Sequence, residues 1–214
     1  MLDAKVMIKV YSQKLDGVWF GVASAEQQIV ASSFNASQQL TLCNMLMIIP
    51  YNTPFQIFHE ASAFARDTFA SLKKIYDGEN VNLSFPLAYA HLPTYTQKVL
   101  KATLHIPLGY ITSYGSIARA VGGGPRAVGN IMASNPFAPI VPCHRVVKSD
   151  FTLGGYGGGL RAKAELLSRE KRGFLQSKDV QVNGGSLRVF PAESALKNLV
   201  RKFFVNANHK SVRT

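Results

Sequence analysis

The sequence predicts an α+β fold in two units. Residues 1–87 form a small antiparallel sheet with a helix, and residues 88–214 form a mainly helical unit with a helix-turn-helix. Three observations predict this arrangement. Three strand-like segments and one helical segment occupy the first half. Two short helical segments around a glycine turn lie in the second half, where the positive charge is also concentrated.

The first half begins with three segments rich in β-branched and aromatic residues, which is typical of strands. Asp16-Gly17 and Glu26-Gln27 separate these segments and predict the tight turns of an antiparallel meander. The predicted strands are residues 5–11, 17–24 and 28–34.

A helix follows the strands. Apolar residues at helical spacing predict it over residues 57–76, and Gly78 ends it. Residues 36–54, between the strands and this helix, are ambiguous. Cys43 lies among them with no neighbouring histidine or basic cluster, so we interpret it as a packing residue.

The second half begins with a helix that follows a linker over residues 79–93. Thr94 and Gln97 match a capping box, in which each side chain accepts a hydrogen bond from a free backbone amide. The helix that they predict runs through Leu104 and ends before Pro107.

Two short helices around a glycine turn come next. They cover residues 113–121 and 125–134, and Pro125 occupies the favoured first position of the second helix. This arrangement predicts a helix-turn-helix, whose second helix normally meets DNA. Many helical hairpins bind nothing, so this pattern alone leaves the function open.

The second of these helices has a nearly bare face formed by small residues such as Ala127 and Gly129. A glycine inside a helix costs about 1 kcal/mol relative to alanine. A bare face allows close approach of either another helix or nucleic acid. Arg126 favours nucleic acid, because a cation at a helix N-terminus opposes the macrodipole unless it has a negative partner or a space to fill.

The net charge of +12 is unevenly distributed. Residues 1–87 contain 6 Lys/Arg and 7 Asp/Glu, a net charge of −1, whereas residues 88–214 contain 18 Lys/Arg and 5 Asp/Glu, a net charge of +13. A basic unit of this kind attracts a polyanion, nucleic acid first and an anionic membrane second.

The cysteine count and the N-terminal residues indicate the cellular compartment. Its two cysteines provide no disulfide framework, and the N-terminal residues have no secretory pattern, so we expect a reducing cytosol. No apolar run reaches the ~20 residues that a membrane-spanning helix needs.

Cys143 lies between Pro142 and His144 in an apolar run. A cysteine in such a run is usually a small packing residue. The alternative is a nucleophilic thiolate, which needs a nearby base or positive charge because a free thiol has a pKa of about 8.5. Neighbouring side chains on a strand face opposite sides, so His144 assists Cys143 only through a bend or a bridging water.

A glycine-rich loop over residues 154–160 and a helix over residues 161–172 follow. The helix is predicted to bury Leu166 and Leu167. Its outward residues are predicted to be Arg161, Lys163, Arg169 and Lys171. Glu170 is then either half of a surface ion pair or simply solvated.

The chain closes with a predicted hairpin and a basic tail. The hairpin pairs residues 180–182 with 186–190 around Asn183-Gly184. The tail contains a further helical pattern over residues 196–203 and a net charge of +4, which either adds phosphate contacts or is a frayed, solvated end.

Several ordered motifs resemble those of the O6-alkylguanine-DNA alkyltransferases, the suicide repair proteins. The active-site signature is matched by residues 142–146, Pro-Cys-His-Arg-Val. The tyrosine before the helix-turn-helix is matched by Tyr114, the arginine finger by Arg126, and the Asn-Pro pair by Asn135-Pro136. The resemblance covers about residues 88–175. It implies a C-terminal domain that binds DNA and transfers an alkyl group, beside a partner domain.

The resemblance also implies a role for each catalytic residue. Cys143 would be the nucleophile and methyl acceptor, and His144 would take its proton through a water. Glu170 would orient the imidazole, by the logic of hydrolase triads. Tyr114 would donate a hydrogen bond or a proton to N3 of the leaving guanine.

DNA recognition is assigned by the same resemblance. Arg126 would occupy the place of a flipped base, while the small-residue helix lies in the minor groove. The carbonyls of Cys143 and Val146 would read the exocyclic amine, and the loop of Tyr156 and Gly157 would contact the base. Many relatives have serine where this chain has Gly157, which preserves a backbone contact but not a side-chain contact. The DNA-binding set implied is Arg126, Ala127, Gly129, Asn135, Arg145, Val146, Tyr156 and Gly157.

The function implied is direct-reversal repair of O6-alkylguanine in double-stranded DNA, with O4-alkylthymine as a second candidate substrate. One molecule acts once, without cofactor or metal, as a monomer in the cytoplasm or in a eukaryotic nucleus. Two alternatives stay open. One is a DNA-binding protein that recognises the lesion without transfer, and the other is a Cys-His hydrolase or acyltransferase that turns over an ester.

Overall fold

A computed structural model describes residues 7–82, 85–182 and 184–198. The fold is α+β, as predicted. The first half contains a four-stranded sheet of order β3-β2-β1-β4, in which β4 is parallel to β1 and the other pairs are antiparallel. Its elements are β1 (Ile8–Leu15), β2 (Val18–Ala25), β3 (Gln28–Asn35), α1 (Gln38–Leu46), β4 (Phe55–Phe58) and α2 (Ala63–Tyr76).

The predicted meander is confirmed. Asp16 and Gly17 have positive φ at the first turn, as do Glu26 and Gln27 at the second, which is the geometry of tight hairpin turns. The predicted helix starts later than expected, at Ala63, because β4 pairs with β1 and Ser62 caps the helix N-terminus.

The ambiguous segment contains α1, a helix capped by Ser37. Thr41 and Met45 are its buried residues, whereas Cys43 is exposed. The interpretation of Cys43 as a packing residue was therefore wrong, because α1 turns a different face to the sheet.

The second half contains helices on a small mixed sheet of order β6-β5-β8-β7. The two predicted short helices are present as α4 and α5, joined by glycines of which Gly122 and Gly123 have positive φ. That they act as a DNA-binding helix-turn-helix stays a prediction. The elements are α3 (Thr94–Leu104), β5 (Tyr110–Ser113), α4 (Tyr114–Val121), α5 (Pro125–Ala133), β6 (Val146–Val147), α6 (Gly159–Arg169), β7 (Lys178–Val182) and β8 (Gly185–Pro191).

The capping box was wrong, although the helix that it predicted is present. Pro93 takes the N-cap position and Thr94 is already helical, so the threonine hydroxyl does not cap the helix. Gln97 Nε2 donates instead to the carbonyl of Leu92 at 2.9 Å.

The C-terminal hairpin is confirmed as β7 and β8. Residues 193–198 are helical, and the rest of the predicted helix lies outside the described residues. The same holds for the tail cations from Arg201 to Arg213. None of the helices in the described ranges is long and apolar enough to cross a bilayer.

One apolar cluster runs through both halves. It joins Phe20 and Phe69 of the first half to Leu100, Ile117 and Phe137 of the second.

Direct hydrogen bonds connect β3 to the segment that leads to Cys143. The amide of Ser32 donates to the carbonyl of Pro136 at 2.8 Å, and its hydroxyl donates to the carbonyl of Ala138 at 3.0 Å.

Candidate active site

Cys143 begins a short 3-10 turn, Cys143–Arg145, directly after Pro142. Cys143 is only 4% exposed. Asn135 Nδ2 donates to the sulfur at 3.1 Å and to the carbonyl of Val141 at 2.8 Å, while Asn135 Oδ1 accepts from the amide of Phe137. Asn135 thus lies buried at the thiol with its amide group bonded to protein atoms, not on the DNA-facing surface that the resemblance implied.

The pKa of the Cys143 thiol is raised by burial, which disfavours the thiolate. The hydrogen bond from Asn135 and the charge of Lys163 act in the opposite direction and partly offset burial. The thiol is therefore protonated at neutral pH and needs a base before it can act as a nucleophile.

His144 is fully buried beside the cysteine, and its Nε2 lies 2.8 Å from Glu170 Oε1. Burial lowers the pKa of His144, so the ring is neutral at pH 7. The contact with a carboxylate requires Nε2 to hold the proton, which leaves Nδ1 as the basic nitrogen. His144 Nδ1 is buried and bonds to no atom of the described residues, so the imidazole is held as a base with its lone pair available.

Glu170 is the C-cap residue of α6, and its carboxylate binds two partners. Its Oε2 accepts from Arg145 Nε at 2.9 Å, and its Oε1 accepts from Arg145 Nη2 at 2.8 Å as well as from His144. Burial raises the pKa of the Glu170 carboxyl, but His144 and Arg145 outweigh it and hold that pKa at about 2. The prediction that Glu170 forms a surface ion pair or is solvated is wrong, because the carboxylate is fully buried.

Arg145 also differs from its predicted place among the DNA contacts. Two of its nitrogens bind Glu170, and Nη1 donates to the carbonyl of Ile106 at 2.6 Å. All three guanidinium nitrogens therefore bond within the protein, and the residue braces Glu170.

Lys163 belongs to the site although its sequence pattern did not predict this. It was predicted to face solvent but is fully buried, and its Nζ donates to the carbonyls of Val146 at 2.6 Å and Gly155 at 3.4 Å. Burial lowers the pKa of Lys163 to about 8. The spacing of Lys163, Leu166 and Glu170 on one helical face is the signal that would have found it.

Two tyrosines flank this lysine. Lys163 Nζ lies 5.8 Å from the ring centre of Tyr114 and 6.0 Å from that of Tyr156. A Cβ at Gly154, where φ is +67°, would lie 2.9 Å from the Tyr114 hydroxyl, so glycine lets the loop approach the ring. Burial raises the pKa of both tyrosines, so their hydroxyls remain protonated donors at neutral pH.

Lys163→Met should make Cys143 less reactive. Loss of the ammonium removes a charge that favours the thiolate and leaves the Val146 and Gly155 carbonyls without their donor. In a Cys43→Ala background, the rate of Cys143 alkylation by iodoacetamide at pH 7 should fall about tenfold, with the pH profile displaced to higher pH. The exposed Lys171→Met is the matched control, and an unchanged profile in Lys163→Met would contradict the role.

The outer face of α5 holds Arg126 and Ala127, both exposed, and the partly exposed Gly129. A Cβ at Gly129 would meet nothing within 4 Å, so no described part of the chain needs the glycine for packing. The described residues leave this face open to a partner from outside. The inner end of the same helix, at Met132 and Ala133, lines a cavity at Cys143.

This cavity has a volume of about 330 Å³ and joins several of the predicted residues. Cys143, Asn135, Tyr156 and Gly157 line it, while Arg126, Ala127 and Gly129 lie outside it. Residues of the first half line it as well. They are Ser32, Ser33, Phe34, Asn44, Met47 and Ile48.

Comparisons with known proteins agree with this geometry. Residues 94–172 match the family described as 6-O-methylguanine DNA methyltransferase, DNA binding domain. The methylated-DNA--protein-cysteine methyltransferase of Mycobacterium leprae is 39% identical over 140 residues, which cover 64% of this chain and 84% of that protein. The protein of the same name from Pyrobaculum aerophilum is 55% identical over 73 residues, 34% of this chain and about half (49%) of that relative.

Solved structures give the same result over a longer span. The O6-methylguanine-DNA methyltransferase of Pyrococcus kodakaraensis aligns with a TM-score of 0.61 and 27% identity, covering 77% of this chain and 99% of that one. The Mycobacterium tuberculosis OGT in complex with DNA aligns with a TM-score of 0.61 and 28% identity, covering 76% and 92%.

Proposed function

The chain belongs to the methylated-DNA--protein-cysteine methyltransferase family, and from this premise we propose that it repairs O6-alkylguanine in double-stranded DNA by transferring the alkyl group to Cys143. One observation carries the proposal. A buried thiol lies at a cavity next to a neutral histidine, whose basic nitrogen is left available by the bond between Nε2 and Glu170.

DNA binding comes first. The net charge of +13 on residues 88–214 attracts the phosphate backbone with little sequence preference. The open face of α5 lies against the duplex, in the minor groove by family resemblance. Ala127 and Gly129 permit the close approach, since neither extends far from the helix.

Base flipping brings the lesion to the cavity. An alkylated guanine pairs poorly, so its extrusion costs less than that of a normal base. Arg126 takes its place in the stack. The carbonyls of Cys143 and Val146 accept from the exocyclic amine, while Tyr156 and the backbone of Gly157 contact the base.

Transfer is a displacement at the alkyl carbon. His144 Nδ1 takes the thiol proton through a water, and the sulfur attacks as the thiolate. The S–C bond forms while the C–O6 bond breaks, and its electron pair passes into the guanine ring. Tyr114 gives a proton to ring N3, and the proton held by His144 returns to Tyr114 through solvent.

The S–C bond of the product thioether is stable because a thiolate is a poor leaving group, so one molecule acts once. This step uses no metal or cofactor, and a monomer in the cytoplasm, or in a eukaryotic nucleus, suffices for it. O4-alkylthymine offers the same alkyl–oxygen bond and is a second substrate to test.

Mass spectrometry of the intact protein tests the proposal directly. After incubation with a duplex containing one O6-methylguanine, we expect a gain of one methyl group in place of the thiol hydrogen, mapped to Cys143 and saturating at one per protein. Tight lesion binding without a mass change would identify a lesion sensor. Steady turnover of an ester substrate would identify a hydrolase.

Arg126→Ala should slow transfer from a duplex by about thirtyfold, because the extruded base then leaves an unfilled stack whose cost is a few kcal/mol. Transfer from a single-stranded oligonucleotide with the same lesion should be almost unchanged, since no stack must be opened. Lys98→Ala is the control for loss of an exposed charge. Equal slowing on both substrates would contradict the stacking role.

A further inference from the structure

The cavity at Cys143 has two walls, and the proposed chemistry uses only one of them. Cys143, the loop of Tyr156 and Gly157, and the end of α5 form the wall from the second half. The end of β3 and the C-terminal end of α1 form the wall from the first half. The group transferred to Cys143 ends inside this cavity, so any atoms beyond its first carbon must occupy the space between the two walls.

The α1 side of the cavity is largely apolar. Met47 and Ile48 line it together with Asn44. Met47 is 86% exposed, so its thioether side chain contributes almost nothing to the protein core. An unbranched, polarizable side chain of this kind adapts its shape to apolar groups of different length.

The end of α1 is held firmly in place. Met45 is fully buried against β2, where a Cβ at Gly21 would clash with the Met45 methyl. Gly21 therefore provides the space in which the helix sits. Thr41 Oγ1 donates to the carbonyl of Ser37 at 2.9 Å, and the amide of Ile48 donates to the carbonyl of Met45 at 3.0 Å. The wall is therefore preorganised before a substrate arrives.

We propose that Met47 and Ile48 are specificity-determining residues, which contact alkyl groups longer than methyl and favour their transfer. The inference rests on the proposed function and deepens it. A butyl chain on guanine O6 gains apolar contact from these two side chains, whereas a methyl group reaches the sulfur without them.

Single-turnover rates on two duplexes test this proposal. One duplex contains O6-methylguanine and the other O6-butylguanine. Met47→Ala and Ile48→Ala should each slow butyl transfer about tenfold, the scale expected for lost contact in an apolar pocket, and leave methyl transfer within about twofold. Met47→Leu, which conserves volume, should restore most of the butyl rate.

Leu40→Ala is the matched control, because Leu40 is a half-exposed apolar residue on the same helix that does not line the cavity. It should change neither rate. Equal slowing of both substrates by Met47→Ala, no slowing of butyl transfer, or a wild-type protein that takes methyl but no butyl would each overturn the inference. A wild-type protein that takes no methyl at Cys143 would instead overturn the proposed function, so the two failures are distinguishable.

Discussion

Cys143→Ala protein should bind a duplex containing O6-methylguanine as tightly as the wild type and acquire no methyl group. The sulfur is the atom that forms the new bond, so its removal should lower transfer below detection. Lesion binding should persist, because Arg126, the open face of α5 and the basic charge of the second half are unchanged.

The second cysteine provides the control for this result. Cys43 is exposed on α1 and does not line the cavity, so Cys43→Ala should transfer methyl at the wild-type rate. Intact mass and tryptic mapping measure the methyl group, and gel retardation measures binding. A methylated Cys143→Ala protein would mean that another residue is the acceptor.

Glu170→Gln should slow transfer by about 10²-fold or more and destabilise the protein by about 3 kcal/mol. The neutral amide no longer holds His144 in one tautomer. Fixing the tautomer of the histidine is the large contribution of the carboxylate in catalytic triads. It also leaves the charge of Arg145 without its buried partner, and breaking a buried pair costs about 3–5 kcal/mol. Urea denaturation and single-turnover rates measure the two effects.

Glu165→Gln is the matched control for Glu170→Gln. Glu165 lies on the same helix and pairs with Arg169 at 2.7 Å, but its side chain is 44% exposed. An exposed pair contributes at most about 1 kcal/mol, so the variant should keep its stability and its transfer rate. Equal effects from the two variants would contradict a special role for Glu170.

Acid should destabilise the wild type, and Glu170→Gln should respond less. The pKa of Glu170 is about 2 in the fold against an ordinary 4.5, so its stabilisation is present above pH 4.5 and is lost as pH falls toward about 2. The lowered pKa of His144 acts in the same direction below its ordinary 6.5, because the unfolded chain then binds the extra proton. Urea midpoints between pH 7 and pH 3 measure this slope, and the variant should show a flatter one.

Local patterns predicted the meander and the two short helices around the glycine turn. Cys143 and His144 are neighbours in the sequence, but Glu170 lies 26 positions after His144, and the family resemblance was needed to associate it with them. In the structure, His144 hydrogen-bonds to Glu170, and Cys143 precedes His144 in the same short turn.

Features that depend on distant partners were beyond the sequence patterns. Lys163 is buried because the carbonyls of Val146 and Gly155 converge on its ammonium group, and a lysine on a helix otherwise indicates solvent. Arg145 turns inward for a similar reason, toward Glu170 and Ile106. The wall of α1 depends on the space at Gly21, which no local period reveals.

The bonds from Ser32 to Pro136 and Ala138 bear on how freely the two halves can be separated. Through these hydrogen bonds, strand β3 supports the segment that ends at Cys143. A C-terminal half expressed alone would have those two carbonyls turned to water and the face beneath Phe137 uncovered. The second half therefore depends on the first-half sheet, and fusion proteins built from the second half should retain that sheet.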